Sequence, residues 1–275
     1  MPVRIVQSKQ NARLKQLRRA LAHPGSDGSS LAGRESRVLA GIEGPNLLEE
    51  ALRAGLRIDC VFAAQGAEHL LDALRLPPET EILLMPKELL DSALATEKPQ
   101  PVAALVEPPV WTWAHLLGGQ RSIAPLILIL AGLQDPGNLG TILRSAEAFG
   151  AIGVLALPGT VSAWNPKTVR ASAGSIFRVP LLAASAKDCF ARLHAAGVKV
   201  LATAVHCAVP APLVNLTGPV ALLIGNEGNG VPKPLSTQAD GVITIPYPGP
   251  VESLNAAVAA SILLYEASRQ RKGLR

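Results

Sequence analysis

The sequence predicts an α/β protein of two domains, of which the second is built on a parallel sheet. The 275 residues are enough to enclose one large or two medium hydrophobic cores. Short runs rich in Ile, Val and Leu alternate with segments of helical spacing, a pattern typical of sheets covered by helices. A connector rich in Pro and Gly, residues 109–123, divides the chain into domains at residues 1–108 and 124–275.

The first domain is predicted to alternate helices and strands. Leucines on one face predict a helix in NARLKQLRRALAH, and GSDGSSLAG then predicts a flexible loop. EGPNLLEEALRAG predicts a second helix, with Pro45 near its start and Gly55 as its C-cap. RIDCVFAA, EILLMP and VAALVEPP predict strands, and AEHLLDALR predicts a helix between the first two.

The second domain contains five candidates for buried strands: LILILAG, IGVLAL, KVLATAV, VALLIG and GVITIP. NLGTILRSAEAFG and AKDCFARLHAAG are among the helical segments that separate them. In parallel sheets of this kind the loops beyond the carboxyl ends of the strands build the ligand site. The sequence therefore predicts a ligand site built from three loops, which begin GLQDPGN, IGNEGNG and IPYPGPVESLN.

Several classes of protein are disfavoured by the composition. The longest apolar run, APLILILAGL, is too short for a membrane span, and the basic start lacks the apolar core of a signal peptide. Cys60, Cys189 and Cys207 stand far apart, which argues against a zinc site and against a disulfide framework. We therefore expect a cytoplasmic protein without a metal.

The formal net charge of +5 is concentrated near the amino terminus. Residues 1–40 carry Arg4, Lys9, Arg13, Lys15, Arg18, Arg19, Arg34 and Arg37 against Asp27 and Glu35. Such a stripe can neutralise phosphates of a polyanion, and Arg13, Lys15, Arg18 and Arg19 on the predicted helix are the candidate contacts. A solvated helix face is the alternative. Aromatic residues are too few to predict a platform that stacks rows of bases.

The glycines of IGNEGNGVP do not belong to a nucleotide-phosphate motif. Gly225 and Gly230 have the spacing of a P-loop, but Val231 and Pro232 replace its Lys and Ser or Thr. A dinucleotide fingerprint requires the order G-x-G-x-x-G, whereas the order here is G-x-x-G-x-G. In IPYPGPVESLN, capping of the following helix by Ser or Glu would explain one polar residue at its entrance, but not the whole cluster.

Taken together, the three loops resemble the three motifs of the SpoU (TrmH-like) family of RNA 2'-O-ribose methyltransferases, in the SPOUT superfamily. The matching segments are DPGNLGTILRSAEAFG, LLIGNEGNGV and IPYPGPVESLNAAVAASILLYEASRQR. WNPKTVRASAGSIFRVPL is similar to a further segment of the family, Lys-x-x-Arg-Ala-Ser-x-Gly. The resemblance covers residues 125–271, and residues 1–108 more loosely resemble the family's L30e-like substrate-binding domain.

The resemblance implies a fold and a set of partners. Family catalytic domains form a deep trefoil knot, with the third loop and its helix threaded through a preceding loop. The family works as homodimers with the site near the interface. It uses S-adenosylmethionine, which carries a sulfonium and no phosphate, and its substrate is RNA. The extended first domain favours ribosomal RNA over transfer RNA.

The resemblance also implies which residues act. The implied catalytic set is Asn138, Arg144, Glu227, Ser253 and Asn255. The implied cofactor contacts are Gly225, Ile245 and Leu254, with Thr203 and Ala204 extending the wall. Because a guanidinium stays protonated near neutral pH, we expect Arg144 to clamp a phosphate and stabilise the developing alkoxide, rather than act as a base. Glu227, a substrate phosphate or water would then accept the proton, and Asn138 and Asn255 would orient Arg144 and the ribose.

Two functions remain open from the sequence alone. The first is an active RNA ribose 2'-O-methyltransferase acting on ribosomal or transfer RNA. The second is an RNA-binding or ribosome-assembly protein that keeps the fold without the activity. The presence of all five catalytic positions favours the enzyme.

Overall fold

The computed structural model describes residues 2–22, 38–94, 96–119, 123–206 and 208–272, and the predicted loop GSDGSSLAG lies outside these ranges. The chain forms two compact units, Met1–Val110 with Trp164–Phe177, and Trp111–Ala163 with Arg178–Arg275. The helices and strands are, in chain order, β1 (Val3–Ile5), α1 (Ala12–Ala22), β2 (Ala40–Glu43), α2 (Pro45–Arg53), β3 (Ile58–Ala64), α3 (His69–Asp72), β4 (Glu81–Met85), α4 (Lys87–Asp91), β5 (Val102–Val106), α5 (Trp113–Leu117), β6 (Leu126–Leu130), α6 (Pro136–Ala148), β7 (Gly153–Ala156), α7 (Pro166–Ser172), β8 (Leu181–Ala183), α8 (Ala186–Ala195), β9 (Lys199–Thr203), β10 (Val209–Pro210), β11 (Val220–Ile224), α9 (Lys233–Ser236), β12 (Gly241–Thr244) and α10 (Ala256–Arg271).

The first unit is a mixed sheet of five strands in the order β1-β4-β3-β5-β2. β1, β4 and β3 run parallel, whereas β5 is antiparallel to both β3 and β2. The three predicted strands and the helix α1 are confirmed, and Leu14, Leu17 and Leu21 are buried as their spacing predicts. Strands β1 and β2 were not predicted, because each is only three or four residues long.

The bounds of α2 follow from its sequence. Pro45 occupies the first turn, where a missing backbone N–H is harmless, and Gly44 precedes it with a φ of 103°. Gly55 adopts a φ of 72°, and the N–H of Leu56 donates to the carbonyl of Ala51. This left-handed glycine ends the helix as predicted.

The segment Trp164–Phe177 lies in the first unit, whereas the sequence analysis places it in the second predicted domain, residues 124–275. Thr168 and Ser172 of α7 are buried in this unit, and Arg170 lies 3.9 Å from the buried carboxylate of Glu43. The ring of Trp164 stacks on Phe177. These contacts are spread over the whole segment, so it packs as part of the first unit.

The second unit is a sheet of seven parallel strands in the order β10-β12-β9-β11-β6-β7-β8. All five predicted strands are confirmed, and only the short edge strands β8 and β10 were missed. Every residue of Leu126–Leu130 and of Val220–Ile224 is buried, and since successive side chains point to opposite faces, both faces of the sheet are covered. Among the described residues no helix is long and apolar enough to cross a bilayer. The trefoil knot stays a prediction.

Arg271 ties the end of α10 to two turns of the second unit. Its guanidinium donates to the carbonyls of Leu216 at 2.9 Å, Gly218 at 2.6 Å and Pro125 at 3.1 Å, and also to that of Ala124. These turns lead into β11 and β6. One side chain therefore fixes the amino-terminal ends of the two central strands.

We predict that Arg271→Ala lowers the free energy of unfolding by about 2–3 kcal/mol, because several charge-assisted hydrogen bonds are lost at once. Thermal unfolding followed by circular dichroism measures the effect. Arg269→Ala is the matched control, since Arg269 pairs with Glu266 one turn earlier on the same helix, at 2.7 Å. Equal melting temperatures for the two variants would contradict a clamp at Arg271.

Candidate active site

A cavity of about 570 Å³ opens in the second unit beyond the carboxyl ends of β9, β11 and β12. Its size falls within the range of about 300–1,000 Å³ that is typical of small-molecule sites. All five predicted cofactor positions line it, namely Thr203, Ala204, Gly225, Ile245 and Leu254. The lining also includes three of the predicted catalytic residues, Glu227, Ser253 and Asn255.

The chemistry of the lining fits S-adenosylmethionine. Glu227 and Glu252 contribute carboxylates, whereas the described lining contains no Lys or Arg. A phosphate would meet negative charge without a compensating cation here, but a positively charged sulfonium is electrostatically matched. Ile245, Leu254 and Ile243 supply apolar surface for an adenine ring.

Three loops meet through the side chain of Asn138. Its amide nitrogen donates to Glu227 Oε1 at 2.9 Å, and its amide oxygen accepts from Asn255 Nδ2 at 3.0 Å. Glu227 also accepts from the backbone N–H groups of Gln134 at 3.3 Å and Asp135 at 3.2 Å. We call the set Asn138, Glu227 and Asn255 the loop bridge, because each residue comes from a different motif.

The loop bridge changes the expected role of Glu227. Burial raises the pKa of this carboxyl, but hydrogen bonds from the Asn138 side chain and from backbone N–H groups outweigh burial and lower the pKa below its ordinary value. The carboxylate is therefore ionised near neutral pH and has little tendency to take up a proton. Glu227 suits a fixed acceptor better than a general base.

The helix that follows the third loop is capped by Asn255 rather than by Ser or Glu. Asn255 Oδ1 accepts from the N–H groups of Ala257 at 2.9 Å and Val258 at 3.2 Å, while its amide nitrogen joins the loop bridge. Asp135 caps α6 in the same way by accepting from the N–H of Asn138 at 2.8 Å. Sequence analysis did not single out Asp135, although an Asp before Pro136 at a helix start is a recognisable cap signal.

Gly225 is required by the turn that follows it. Asn226 and Gly230 exchange two backbone hydrogen bonds of 3.2 Å, and a Cβ on Gly225 would stand 2.0 Å from the carbonyl carbon of Gly230. A side chain here would collide with the turn itself rather than enter the adenine pocket.

Arg144 is not brought to the cavity of its own chain. It is exposed on α6, and among the described residues it makes no hydrogen bond or ion pair. The side-chain bonds of Asn138 and Asn255 go to each other, to Glu227 and to the start of α10, so within one chain these residues do not contact Arg144, and their role in orienting it stays a prediction. Ser145, the next residue, bonds Ser261 of α10 at 2.7 Å.

The basic residues of the stripe on α1 differ in whether an acidic residue of the first unit pairs with them. Arg13 bonds Asp59 at 2.8 Å and lies 3.4 Å from Glu81, so its charge is compensated within the unit. Lys15 and Arg19 are exposed on α1, and Arg18 is half-buried. Arg34 and Arg37 lie outside the described residues. The charges available to a polyanion on α1 are therefore those of Lys15, Arg18 and Arg19.

The described cysteines take no part in the site. Cys60 and Cys189 are buried and free, and burial raises the pKa of each thiol to about 12. Both remain protonated and are poor nucleophiles. Within the described ranges no three His, Cys, Asp or Glu side chains are grouped to hold a metal. Cys207 is outside those ranges.

Profiles of two protein families match the chain. The SpoU rRNA Methylase family matches residues 125–265, and the family described as RNA 2'-O ribose methyltransferase substrate binding matches residues 42–111. The chain belongs to the SpoU family. The first match covers the motifs that contain the loop bridge, and the second covers most of the first unit.

Individual SpoU relatives agree with this assignment. The chain is 34% identical over 228 residues to the 23S rRNA (guanosine(2553)-2'-O)-methyltransferase RlmP of Bacillus subtilis. The aligned region covers 82% of this chain and 86% of the relative. An AdoMet-bound rRNA methyltransferase from Sinorhizobium meliloti superposes with a TM-score of 0.82 at 30% identity over 99% of both chains. AviRb of Streptomyces viridochromogenes in complex with AdoMet gives 0.78 at 30% identity, over 97% of this chain and all of AviRb.

These findings confirm the predicted family, fold class, enzyme class and cofactor. The protein is an S-adenosylmethionine-dependent RNA 2'-O-ribose methyltransferase. The alternative of an RNA-binding protein without activity is not supported. The roles of individual residues stay predictions.

We predict that Glu227→Gln weakens cofactor binding and slows methyl transfer on the order of 10-fold to 100-fold, because an amide NH₂ would face the N–H donors that now meet a carboxylate. The midpoint of the pH–rate profile should not move, since the pKa of Glu227 is lowered and the carboxylate stays ionised throughout the range of the assay. Calorimetry and single-turnover assays across mildly acidic to mildly alkaline pH measure both effects.

Gln134→Ala is the control, because only the backbone N–H of Gln134 contacts Glu227. If the acid limb of the parent profile disappeared in Glu227→Gln, Glu227 would be the general base after all.

Proposed function

We propose that the substrate is ribosomal RNA, methylated in the cytoplasm by a homodimer in which each cavity receives Arg144 from the other copy. The observation that supports a reaction at this cavity is the loop bridge beside a described lining with carboxylates and without Lys or Arg, which suits a sulfonium cofactor. The names of the similar proteins above support ribosomal RNA. The separate first unit, with its basic stripe, supports a large folded substrate.

The reaction requires a ribose 2'-hydroxyl to attack in line while it loses a proton. Bound S-adenosylmethionine supplies the electrophilic methyl group. Ser253 lines the cavity at its exposed entrance and can hydrogen-bond the ribose, while the loop bridge fixes the distance between the second and third loops. Because Glu227 is a weak base, the proton leaves to water or to a substrate phosphate.

Arg144 fits the role of an electrostatic clamp. A guanidinium is always charged and can hold a phosphate with two parallel hydrogen bonds, which also stabilises the negative charge that develops on the 2'-oxygen. Its charge is not compensated by any described residue. It is therefore available to a substrate that lies against the exposed side of α6.

A second copy of the chain fits the surface that α6 and α10 share. Val258, Ile262 and Tyr265 follow helical spacing on α10 and are 47%, 38% and 55% exposed. Arg144 precedes Ser145 on α6 and Ile262 follows Ser261 on α10, and the two serines are hydrogen-bonded, so both residues stand next to the place where the two helices meet. Burial of this surface against a second copy would carry Arg144 towards the partner's cavity.

Methyl transfer to unmodified RNA tests the substrate. We expect label from S-adenosylmethionine to enter a 23S rRNA transcript and to be recovered as a 2'-O-methyl nucleoside after complete digestion. A pool of unmodified tRNA transcripts is the comparison. Transfer to tRNA alone would replace ribosomal by transfer RNA, and label recovered on a base would contradict ribose chemistry.

The delivery of Arg144 across the dimer is tested by mixing two inactive proteins. We expect Arg144→Ala and Asn255→Ala to be nearly inactive alone, and Arg144→Lys to lose much of the rate because ammonium lacks the planar fork. Co-expressed Arg144→Ala and Asn255→Ala chains should regain activity, since one cavity of the heterodimer keeps its own Asn255 and receives the other chain's Arg144. Lack of recovery in isolated heterodimers would show that Arg144 acts in its own chain.

The basic stripe should bind phosphates without base preference. Replacing Lys15, Arg18 and Arg19 by Gln is expected to weaken RNA binding and to reduce the slope of log affinity against log salt by about 0.7–0.9 per lost contact. Arg13 is kept, because its pairs with Asp59 and Glu81 belong to the fold. Arg53→Gln is the control, since Arg53 is already paired with Glu49 at 2.6 Å. An unchanged slope would show that the stripe is only a solvated face.

A further inference from the structure

Tyr247 is the single aromatic residue among the described residues that line the cavity. It stands on the third loop, two residues beyond the predicted cofactor contact Ile245. Its hydroxyl donates to the backbone carbonyl of Glu252 at 3.3 Å, across the turn formed by Pro248, Gly249 and Pro250. This bond closes the loop on itself and restricts the position of the ring.

The ring of Tyr247 lies at the rim of the cavity and not in its inner wall. Ile243 at the end of β12 is buried, whereas Pro246 and Pro248 on either side of Tyr247 are exposed. Tyr247 itself is half-buried, so part of the ring faces the cavity and part faces solvent. The hydroxyl of Tyr247 bonds the carbonyl of Glu252, the residue before Ser253, and both Tyr247 and Ser253 line the cavity.

A ribose methyltransferase needs a surface for the base as well as for the sugar. Recognition of RNA commonly targets unpaired nucleotides whose bases are displaced from the stack, and such a base gains back stacking energy on an aromatic ring. Such stacking tolerates any base, because every base has a π-face. A tyrosine fixed at the rim is suited to this task.

We propose that Tyr247 is a substrate-positioning residue, whose ring stacks on the base of the target nucleotide and so presents its ribose to the methyl group. This inference rests on the proposed function of the same cavity. It assigns the inner, apolar part of the cavity to the cofactor and the rim to the RNA. Stacking rather than hydrogen bonding then holds the target base, and its identity is selected elsewhere in the complex.

Two substitutions separate stacking from other roles. Tyr247→Leu keeps apolar bulk but removes the π-face, and Tyr247→Phe keeps the ring but removes the bond to Glu252. Val251→Ala is the control, because Val251 lies on the same loop, is 55% exposed and does not line the cavity. For each protein we would measure the cofactor Kd by calorimetry without RNA, and the half-saturating concentration of a 23S rRNA transcript in single-turnover transfer.

We expect Tyr247→Leu to raise the half-saturating RNA concentration on the order of 10-fold, with the cofactor Kd unchanged. Val251→Ala should stay close to the parent, and so should Tyr247→Phe, because the π-face does the stacking and the single 3.3 Å bond to Glu252 only limits the motion of the ring. An unchanged RNA concentration for Tyr247→Leu would overturn the proposal. A cofactor Kd that rises with it would overturn it too, because the ring would then cover the adenine.

A second measurement keeps the inference independent of the identity of the RNA. Labelled single-stranded pentanucleotides of G or of U are titrated against protein saturated with S-adenosylhomocysteine, with fluorescence anisotropy as the signal. Weaker binding of both oligonucleotides by Tyr247→Leu, but not by Tyr247→Phe, supports stacking, and equal binding by all variants overturns it. If the parent methylates no ribosomal RNA, the proposed substrate fails, while this titration still decides the role of Tyr247.

Discussion

The hydrogen bonds that join Asn138 to Glu227 and to Asn255 are the interaction on which the site depends. Each partner belongs to a loop that leaves a different strand, and these side chains join the three loops to one another at the cavity. An amide can donate on one side and accept on the other, so Asn138 joins a carboxylate to a second amide without leaving a polar group unpaired. The anionic acceptor makes the donor bonds stronger than neutral ones.

The sheet makes such a bridge feasible. β12, β9, β11 and β6 are consecutive neighbours and parallel, so the loops after these strands emerge side by side. Asp135 and Asn255 then start α6 and α10 by capping them, which turns the chain away from the sheet at the level of the cavity. The same residues that end the loops thus place the polar atoms of the site.

Much of this arrangement was predictable from the sequence, for reasons that differ between residues. The apolar runs of the seven-stranded sheet gave a strong signal because β6 and β11 are buried on both faces. Edge strands as short as β10 carry too few residues for a pattern. Asn138, Glu227 and Asn255 were recognised through the family motifs, but their mutual bonds depend on the distance between loops that are far apart in sequence.

Two other features could not be predicted from the sequence, because one depends on the close approach of two backbone segments and the other on the proposed second copy of the chain. The need for glycine at position 225 comes from the backbone of Gly230 only 2.0 Å from where a Cβ would stand, which no linear pattern expresses. Arg144 was predicted as catalytic, yet its own chain leaves it exposed and unpaired among the described residues. A single sequence does not state which cavity an exposed residue serves.

Hydrogen–deuterium exchange of Asn138→Ala, beside Gln134→Ala as control, tests the organising role of the loop bridge most directly. The bridge predicts that exchange accelerates in all three loops together, around Gln134 and Asp135, in the turn from Asn226 to Gly230, and at the start of α10, where Ala257 and Val258 donate to Asn255. Gln134→Ala should leave all three protected as in the parent. Faster exchange confined to the loop that carries Asn138 would contradict the account, because the other two loops would then be held by interactions of their own.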